Sequence, residues 1–343
     1  MKKKILVRCI TEYSKGFGNL NRCITLAEGL KRKGYKIIFL IDRKALAINE
    51  IKKKNFEYKI FKKYSRSKDE ASAITNLMIS NNYCSIIIDM REYGESLTKN
   101  LMNKNFEVIL IDDAWCKKAY ADLIINGTIV KKYHNYKKIN QQSRIFVGSK
   151  YWIINKEFLK HKKKLNRIFQ KDKYRIVISM GGSDPNNLSE FIANSLKTIP
   201  NLEISILAGP FFSNLTSLRK LARKKNISLI ENPRKIWRKL VKGDIVLSAA
   251  GSTLYELCIM RIPTICVPIV KHQIPYAKLF SSKGFSINLG SKKRLNYAKI
   301  QNSVNFLLGN IRERKKMSKA ASKIIDGKGL TRVVNEIDMF LKN

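Results

Sequence analysis

The sequence predicts an α/β protein of two doubly wound, parallel-sheet domains in tandem, and three observations carry that expectation. Apolar, β-rich runs alternate with segments of helical spacing, in two successive series. The runs are continuously apolar rather than alternating in polarity, as strands buried on both faces require. At 343 residues the chain is long enough for two domains that each bury a core.

The first strand is read at residues 4–10. The start has the basic character of a secretory leader, but Arg8 interrupts the apolar part and Glu12 follows without a small-residue cleavage site. Gly16-Phe17-Gly18-Asn19-Leu20-Asn21-Arg22 joins that strand to a helix starting near Asn19, with apolar spacing Leu20, Cys23, Ile24, Ala27 and Leu30. Two glycines let the backbone turn tightly toward a ligand, and the free N–H groups of the following helix favour an anion. A plain strand-to-helix turn uses the same residues. Gly34 is placed to end the helix.

Further strands are expected at 36–41, 85–89, 108–111 and 122–125. From Asn126-Gly127 to Ser143 runs a basic stretch containing Gln and Asn, the expected interdomain connection, followed by a short strand at 144–147. The domains are therefore drawn at 1–143 and 144–343.

The second series opens with a strand at 174–180 and the turn Gly181-Gly182-Ser183-Asp184-Pro185. Helix 188–198, strand 202–208, helix 214–225 and strand 227–230 follow, then a basic helix around Ile236, Trp237 and Leu240. Strand 244–248 leads into a helix at Gly251-Ser252-Thr253, strand 263–267 comes next, and three helices complete the series, the last of them packing back toward the N-terminal domain. In such folds ligands lie beyond the carboxyl ends of the strands, so the Gly-rich turns are expected to face one interdomain cleft.

A 44% apolar composition argues against disorder, and no apolar run is long enough to span a bilayer. Six cysteines are scattered without a Cys-x-x-Cys pair, which points to neither a zinc site nor a disulfide framework and fits a reducing cytoplasm. The formal charge of +42 has three readings. One is composition bias with solvated lysines. Another is contact with an anionic membrane at the inner face: residues 131–175 hold fifteen Lys or Arg against Glu157 and Asp172, interleaved with Tyr133, Tyr136, Trp152 and Phe158. Nucleic acid ranks last, because the charge is spread along the chain and no recognition motif accompanies it.

Several residues can carry chemistry. Gly181-Gly182-Ser183 follows a strand and precedes a helix, as a phosphate cradle would; equally, Asp184 can cap the helix before Pro185. Gly251-Ser252-Thr253 with Glu256 can be a capping box, or it can offer a helix N-terminus to a diphosphate and a carboxylate to the hydroxyls of a ribose. Asp89 with Arg91, Asp112 with Asp113, and His272 with Gln273 fall after other strands. His272 is the histidine nearest to a predicted turn and hence a candidate proton carrier at neutral pH. Ligands are too dispersed for a metal site, and no cofactor is called for.

Taken in order, these turns resemble the PseG family of UDP-sugar hydrolases from pseudaminic acid biosynthesis, which is similar to the MurG glycosyltransferases and shares their two-domain GT-B fold. The residues that carry the resemblance are Gly16-Phe17-Gly18-x-x-x-Arg22, Ile88-Asp89, Ile111-Asp112-Asp113, Ala121-Asp122-Leu123-Ile124-Ile125-Asn126, and Gly148 with Tyr151 and Glu157-Phe158. Met180-Gly181-Gly182-Ser183-Asp184, Ser252-x-x-x-Glu256, Gln273 and Ile325-Asp326-Gly327-Lys328-Gly329 continue it. The resemblance implies a UDP-sugar substrate, with Gly181, Gly182 and Ser183 near the nucleotide-sugar, Ser252 and Thr253 at the diphosphate and Glu256 at the ribose. It places the sugar among Gly16, Gly18, Arg22, Asp112 and Asp113.

The chain departs from the family's Gly-x-Gly-His opening, whose histidine handles the attacking water; Asn19 stands there instead. An amide can hold a water but cannot take its proton at neutral pH. Three activities are thus expected in order: a hydrolase using another base such as His272 or Asp89, a transferase with a lipid-linked or sugar acceptor, or a nucleotide-sugar-binding protein impaired in catalysis. His272-Gln273 is similar to the His-Gln of MurG-type transferases.

Overall fold

Strand β1 (Lys4–Cys9) is buried along five of its six residues, since a central strand of a parallel sheet is covered on both faces. In the computed structural model the described residues are 3–11, 18–42, 44–61, 64–161 and 172–342. Helix α1 (Gly18–Arg32) follows and buries Leu20, Cys23, Ile24, Ala27 and Leu30, the stripe its spacing predicts. Each fully buried leucine contributes about 1.5–3 kcal/mol. The helix ends where Gly34 adopts φ +95° while the N–H of Tyr35 bonds the Leu30 carbonyl at 3.2 Å and that of Gly34 bonds Lys31 at 3.0 Å, the paired C-terminal closure glycine permits.

The chain then forms β2 (Lys36–Ile41), α2 (Ala45–Lys52), β3 (Glu57–Ile60), α3 (Ser67–Ser80), β4 (Ser85–Asp89), α4 (Glu92–Leu101), β5 (Glu107–Asp112), β6 (Lys118–Ala119), β7 (Leu123–Asn126), β8 (Lys137–Lys138) and β9 (Arg144–Val147). Seven strands make one parallel sheet in the order β3-β2-β1-β4-β5-β7-β9. The sequence reading passed over β3, whose four residues include Glu57 and Lys59 and lie half exposed at the sheet edge.

A second series begins with α5 (Lys156–Lys160), then β10 (Tyr174–Ser179), α6 (Leu188–Leu196), β11 (Leu202–Ala208), α7 (Leu215–Leu221), β12 (Ile227–Glu231) and α8 (Trp237–Leu240). It continues through β13 (Ile245–Ala249), α9 (Thr253–Met260), β14 (Thr264–Val267), α10 (Ile274–Ser282), β15 (Ser286–Asn288), α11 (Tyr297–Gly309), α12 (Ile311–Ile324) and α13 (Gly329–Lys342). Its parallel sheet has the order β12-β11-β10-β13-β14-β15. Both sheets thus step outward in one direction from the first strand of their series, then reverse.

The chain divides into one unit of Met1–Asn155 with Gly327–Asn343 and another of Lys156–Asp326. The expected break after residue 143 is corrected by β9. It pairs with β7 from Leu123↔Arg144 to Asn126↔Val147 and so adds a seventh strand to the first sheet instead of opening the second domain. The stretch from Gly127 to Ser143 is likewise part of the first unit, tied down by β8 pairing with β6 and by Tyr136. Helix α13 packs on α1, and Gly29 lets it approach: a Cβ there would meet Val334 Cγ2 at 2.5 Å. Among the described residues no helix is long and apolar enough to cross a membrane.

Candidate functional site

In the first unit the strand order reverses between β1 and β4, where a doubly wound sheet opens beyond its carboxyl ends. Cys9 and Asp89 are register partners at that point. The first turns of α1 bring Asn19, Arg22 and Cys23 onto Asp89. Arg22 grips its carboxylate with two donors, Nε to Oδ2 at 2.8 Å and Nη2 to Oδ1 at 2.7 Å. Asn19 Nδ2 donates to Oδ1 at 2.6 Å, and the Cys23 thiol donates to Oδ2 at 3.4 Å. Asp89 is 1% exposed and accepts from all four donors. Asp89, expected as an alternative base, here ties these side chains together as a buried acceptor.

Arg22 also reaches Asp113 Oδ2 from Nη1 at 3.2 Å. Burial would lower the pKa of Arg22, but Asp89 and Asp113 outweigh it and hold the guanidinium well above its ordinary value. Cys23 stays a thiol, raised by its contact with Cys9, by burial and by Asp89. Arg91 donates from Nε to Asn19 Oδ1 at 3.4 Å and lies 6.0 Å from the centre of the Trp115 ring. Its backbone, at φ +54° and ψ −137°, is left-handed for a non-glycine residue, a strain of about 1–3 kcal/mol that often accompanies function.

Asp112 is a structural tie. Its carboxylate accepts from the backbone of Trp115 at 3.2 Å and of Cys116 at 3.4 Å and from the Tyr136 hydroxyl at 2.7 Å, which in turn accepts from Asn126 Nδ2 at 2.7 Å. Burial first, and Asp113 second, push it up to about 6. Sequence spacing gave no hint of the Tyr136 bond, made across 24 residues by an aromatic in the basic stretch. Gly16 lies outside the described residues, and Gly18 is the first residue of α1.

In the second unit the reversal falls between β10 and β13. After β10, Gly181 takes φ +89°, and Gly182 lies so close to Gly209 that a Cβ there would sit 2.5 Å from the Gly182 carbonyl oxygen. Ser183 is half-buried beside them. Asp184 caps α6: its two oxygens accept from the N–H groups of Leu188 at 2.9 Å and Ser189 at 2.7 Å. A ligand at this turn would meet the glycine backbone rather than a vacant helix end.

After β13 the opposite holds. Ser252 makes no side-chain capping bond to α9, so the expected capping box does not form. The carboxylate of Glu256, partly buried in the first turn, makes no hydrogen bond or ion pair among the described residues, and burial alone pushes it up to about 7. Gly251 leaves room for Gln273, whose Nε2 lies 3.2 Å from where a Cβ would be; Gln273 Oε1 accepts from the Ile269 N–H at 3.0 Å. Thr253 begins α9, and His272 lies on the 3-10 turn Lys271–Gln273. The second unit thus gathers Gly251, Ser252, Thr253, Glu256, His272 and Gln273, while Asn19, Arg22, Asp89, Asp112 and Asp113 belong to the first. Two surface depressions, of about 250 and 390 Å³, are lined by Arg175, Glu203 and Lys239 and by Leu40, Ile60 and Leu77, and neither includes these residues. Among the described residues no three His, Cys, Asp or Glu lie together as a metal would need.

Residues 144–331 match the profile of the glycosyltransferase family 28 C-terminal domain. The chain belongs to that family. Family 28 chemistry is accordingly the frame for the second unit, which makes up most of the matched stretch. The family 28 chain is 26% identical over 290 residues to the UDP-2,4-diacetamido-2,4,6-trideoxy-beta-L-altropyranose hydrolase of Campylobacter jejuni, covering 83% of this chain and 98% of that one. It is 23% identical to the spore coat polysaccharide biosynthesis protein SpsG of Bacillus subtilis, over 94% of each. With the uncharacterized protein MJ1062 of Methanocaldococcus jannaschii it shares 27% identity over 73% of its own length but only 52% of the archaeal chain, about half of that relative. Among solved structures, MurG of Acinetobacter baumannii superposes with a TM-score of 0.73 at 13% identity, covering 98% of this chain and 99% of that one, which establishes the GT-B fold.

Proposed function

We propose that this family 28 protein is an enzyme of cell-surface glycan biosynthesis that cleaves the anomeric C–O bond of a UDP-activated amino sugar. The observation that carries the reading is Glu256: a carboxylate with no partner among the described residues, in the first turn of a helix whose N-cap side chain makes no capping bond, at the reversal of the second sheet. Such a group is costly unless a ligand completes it, and the two hydroxyls of a ribose do so while the helix N-terminus takes the diphosphate. Gly181, Gly182 and Ser183 offer backbone to the same nucleotide-sugar, and Gln273 holds the loop after β14 beside Gly251. In the reaction a hydroxyl oxygen attacks the anomeric carbon and UDP departs with the bonding pair, its charge met by helix N-termini.

Hydrolysis is the first choice, supported by the similarity to the Campylobacter hydrolase over nearly all of that protein's length. Glycosyl transfer is the second, favoured by Asn19, whose amide is committed to Asp89 and has no basic nitrogen to offer a water. The proposal extends to a cytoplasmic setting, with the exposed lysines of the chain drawing it to anionic lipid. UDP release from UDP-N-acetylhexosamines, measured with and without sugar or lipid-linked acceptors, decides between them. Release without acceptor supports hydrolysis and acceptor-dependent release supports transfer, whereas UDP binding with no turnover supports a binding protein and removes the enzymatic reading.

A further inference from the structure

Within the second unit, β11 and β12 depart from the burial of the strands beside them. β13 is buried along its whole length, whereas Glu203 and Ser228 are exposed and Ser205 half-buried, although Ile204, Ile206 and Ile227 between them lie in the core. Such alternation marks a stretch of sheet with one face left open. On that face Arg175 and Glu203 are register partners, as are Ser205 and Ser228. Together with Ile230, with Lys239 of α8 and with Lys242 just after it, they line the depression of about 250 Å³. Arg175, Glu203 and Ser228 are each the second residue of their strand, so the depression lies toward the amino ends of the sheet, opposite to the turns at Gly181-Gly182-Ser183 and Gly251-Ser252.

We infer that this depression is a binding site for a phosphate monoester, distinct from the nucleotide turns. Three cations line it against one carboxylate, Glu203, leaving two positive charges to meet the charge of about −1.5 to −2 that a phosphate monoester carries at pH 7. The donors are available. Arg175 spends Nε, at 3.1 Å, and Nη2, at 2.7 Å, on the same oxygen of Glu203, which leaves Nη1 for a ligand. Lys239 and Lys242 make no ion pair or side-chain hydrogen bond among the described residues. Ser205 Oγ and Ser228 Oγ are 3.0 Å apart, and Ser228 also donates to the Ile204 carbonyl at 3.3 Å, so the Ser205 proton can turn outward for the loss of one exposed bond. At about 30 Å³ per water the depression has the volume of about eight waters, enough for a phosphate and part of the group that bears it. That group can belong to a soluble ester or to the headgroup of phosphatidic acid, whose phosphate is also a monoester.

The test compares the full chain with a variant carrying both Lys239→Gln and Lys242→Gln. A control carrying Lys315→Gln and Lys319→Gln removes the same charge from exposed positions of α12 in the same unit. Calorimetry with glycerol 3-phosphate reads the soluble source, and sedimentation with vesicles of phosphatidylcholine, alone or mixed with phosphatidic acid, reads the lipid source. Neither probe is a nucleotide, so the outcome does not depend on the UDP-sugar reading. The expected result is a Kd raised by about 10-fold or more in the Lys239 and Lys242 variant for at least one probe, with the control binding and melting like the wild type. Weakening confined to the phosphatidic acid vesicles identifies a headgroup site, and weakening toward glycerol 3-phosphate identifies a site for soluble esters. A wild type that binds neither probe overturns the inference. Equal weakening in both variants also overturns it, since binding then follows the overall charge of +42 and no particular place on the fold.

Discussion

Replacing Glu256 by Gln should strengthen the ligand-free fold and weaken nucleotide binding at once. The carboxyl lies at about 7 in the folded chain against 4.5 when solvated, and burial is the cause. Because the folded value is the higher, the folded state holds the proton more tightly. The stability this gives is complete below pH 4.5 and lost as the pH rises through about 7. At about 1.36 kcal/mol per unit, the cost of ionising Glu256 at alkaline pH approaches about 3 kcal/mol, reduced by whatever solvent still reaches it. Glutamine escapes that cost, so the variant should melt higher than wild type at pH 8 and alike at pH 4.5. UDP affinity should move the other way. Loss of a charged acceptor from ribose hydroxyls costs about 1.5–3 kcal/mol, or about 10- to 150-fold in Kd. Ribose selects the ionised carboxylate, so UDP binding to the wild type below pH 7 should release protons, seen by calorimetry as an enthalpy that depends on the buffer; the Gln variant should show none. Unchanged UDP affinity together with unchanged melting at pH 8 would refute the reasoning.

Asn19→His should find its orienting carboxylate already in place, because Asp89 now receives the Asn19 amide at 2.6 Å. Acceptor-free UDP release should rise in a hydrolase, whereas a fall in acceptor-dependent release without new hydrolysis would mark a transferase. Gly209→Ala should displace the Gly181-Gly182 turn, since the added carbon meets Gly182 backbone; a donor KM equal to wild type in the folded variant would argue against that turn touching substrate. His272→Ala is expected to retain turnover, and a loss of about 10²-fold or more in kcat would instead make its imidazole the proton acceptor.

The alternation of strands and helices was legible because both sheets are parallel and bury their central strands on two faces, which writes long apolar runs into the sequence. Strand-end aspartates were legible as positions and illegible as roles. Asp89, Asp112 and Asp184 look alike in one dimension, but Arg22 is 67 residues from Asp89 and Tyr136 is 24 from Asp112, and no local spacing announces either bond. Asp184 differs again, capping the helix four residues on. The domain boundary was misplaced for a related reason. A four-residue strand such as β9 has no signature of which sheet will accept it, and the basic residues before it read as a linker although Tyr136 and Asn126 anchor them.

The return of the chain to its first unit at Gly327 has a consequence for synthesis on the ribosome. Leu330, Val333, Val334, Ile337 and Leu341 belong to the same apolar core as Leu20, Cys23 and Leu30, yet they are made only after the whole intervening unit. The nascent first unit must therefore wait with one side of α1 bare while the intervening unit is made. That intervening unit is contiguous and can fold on its own schedule, shortening the loop that α13 must close and lowering its entropic cost. Chaperone capture of stalled nascent chains should accordingly be strongest after the intervening unit has been made and before α13 emerges, and weakest once α13 has docked.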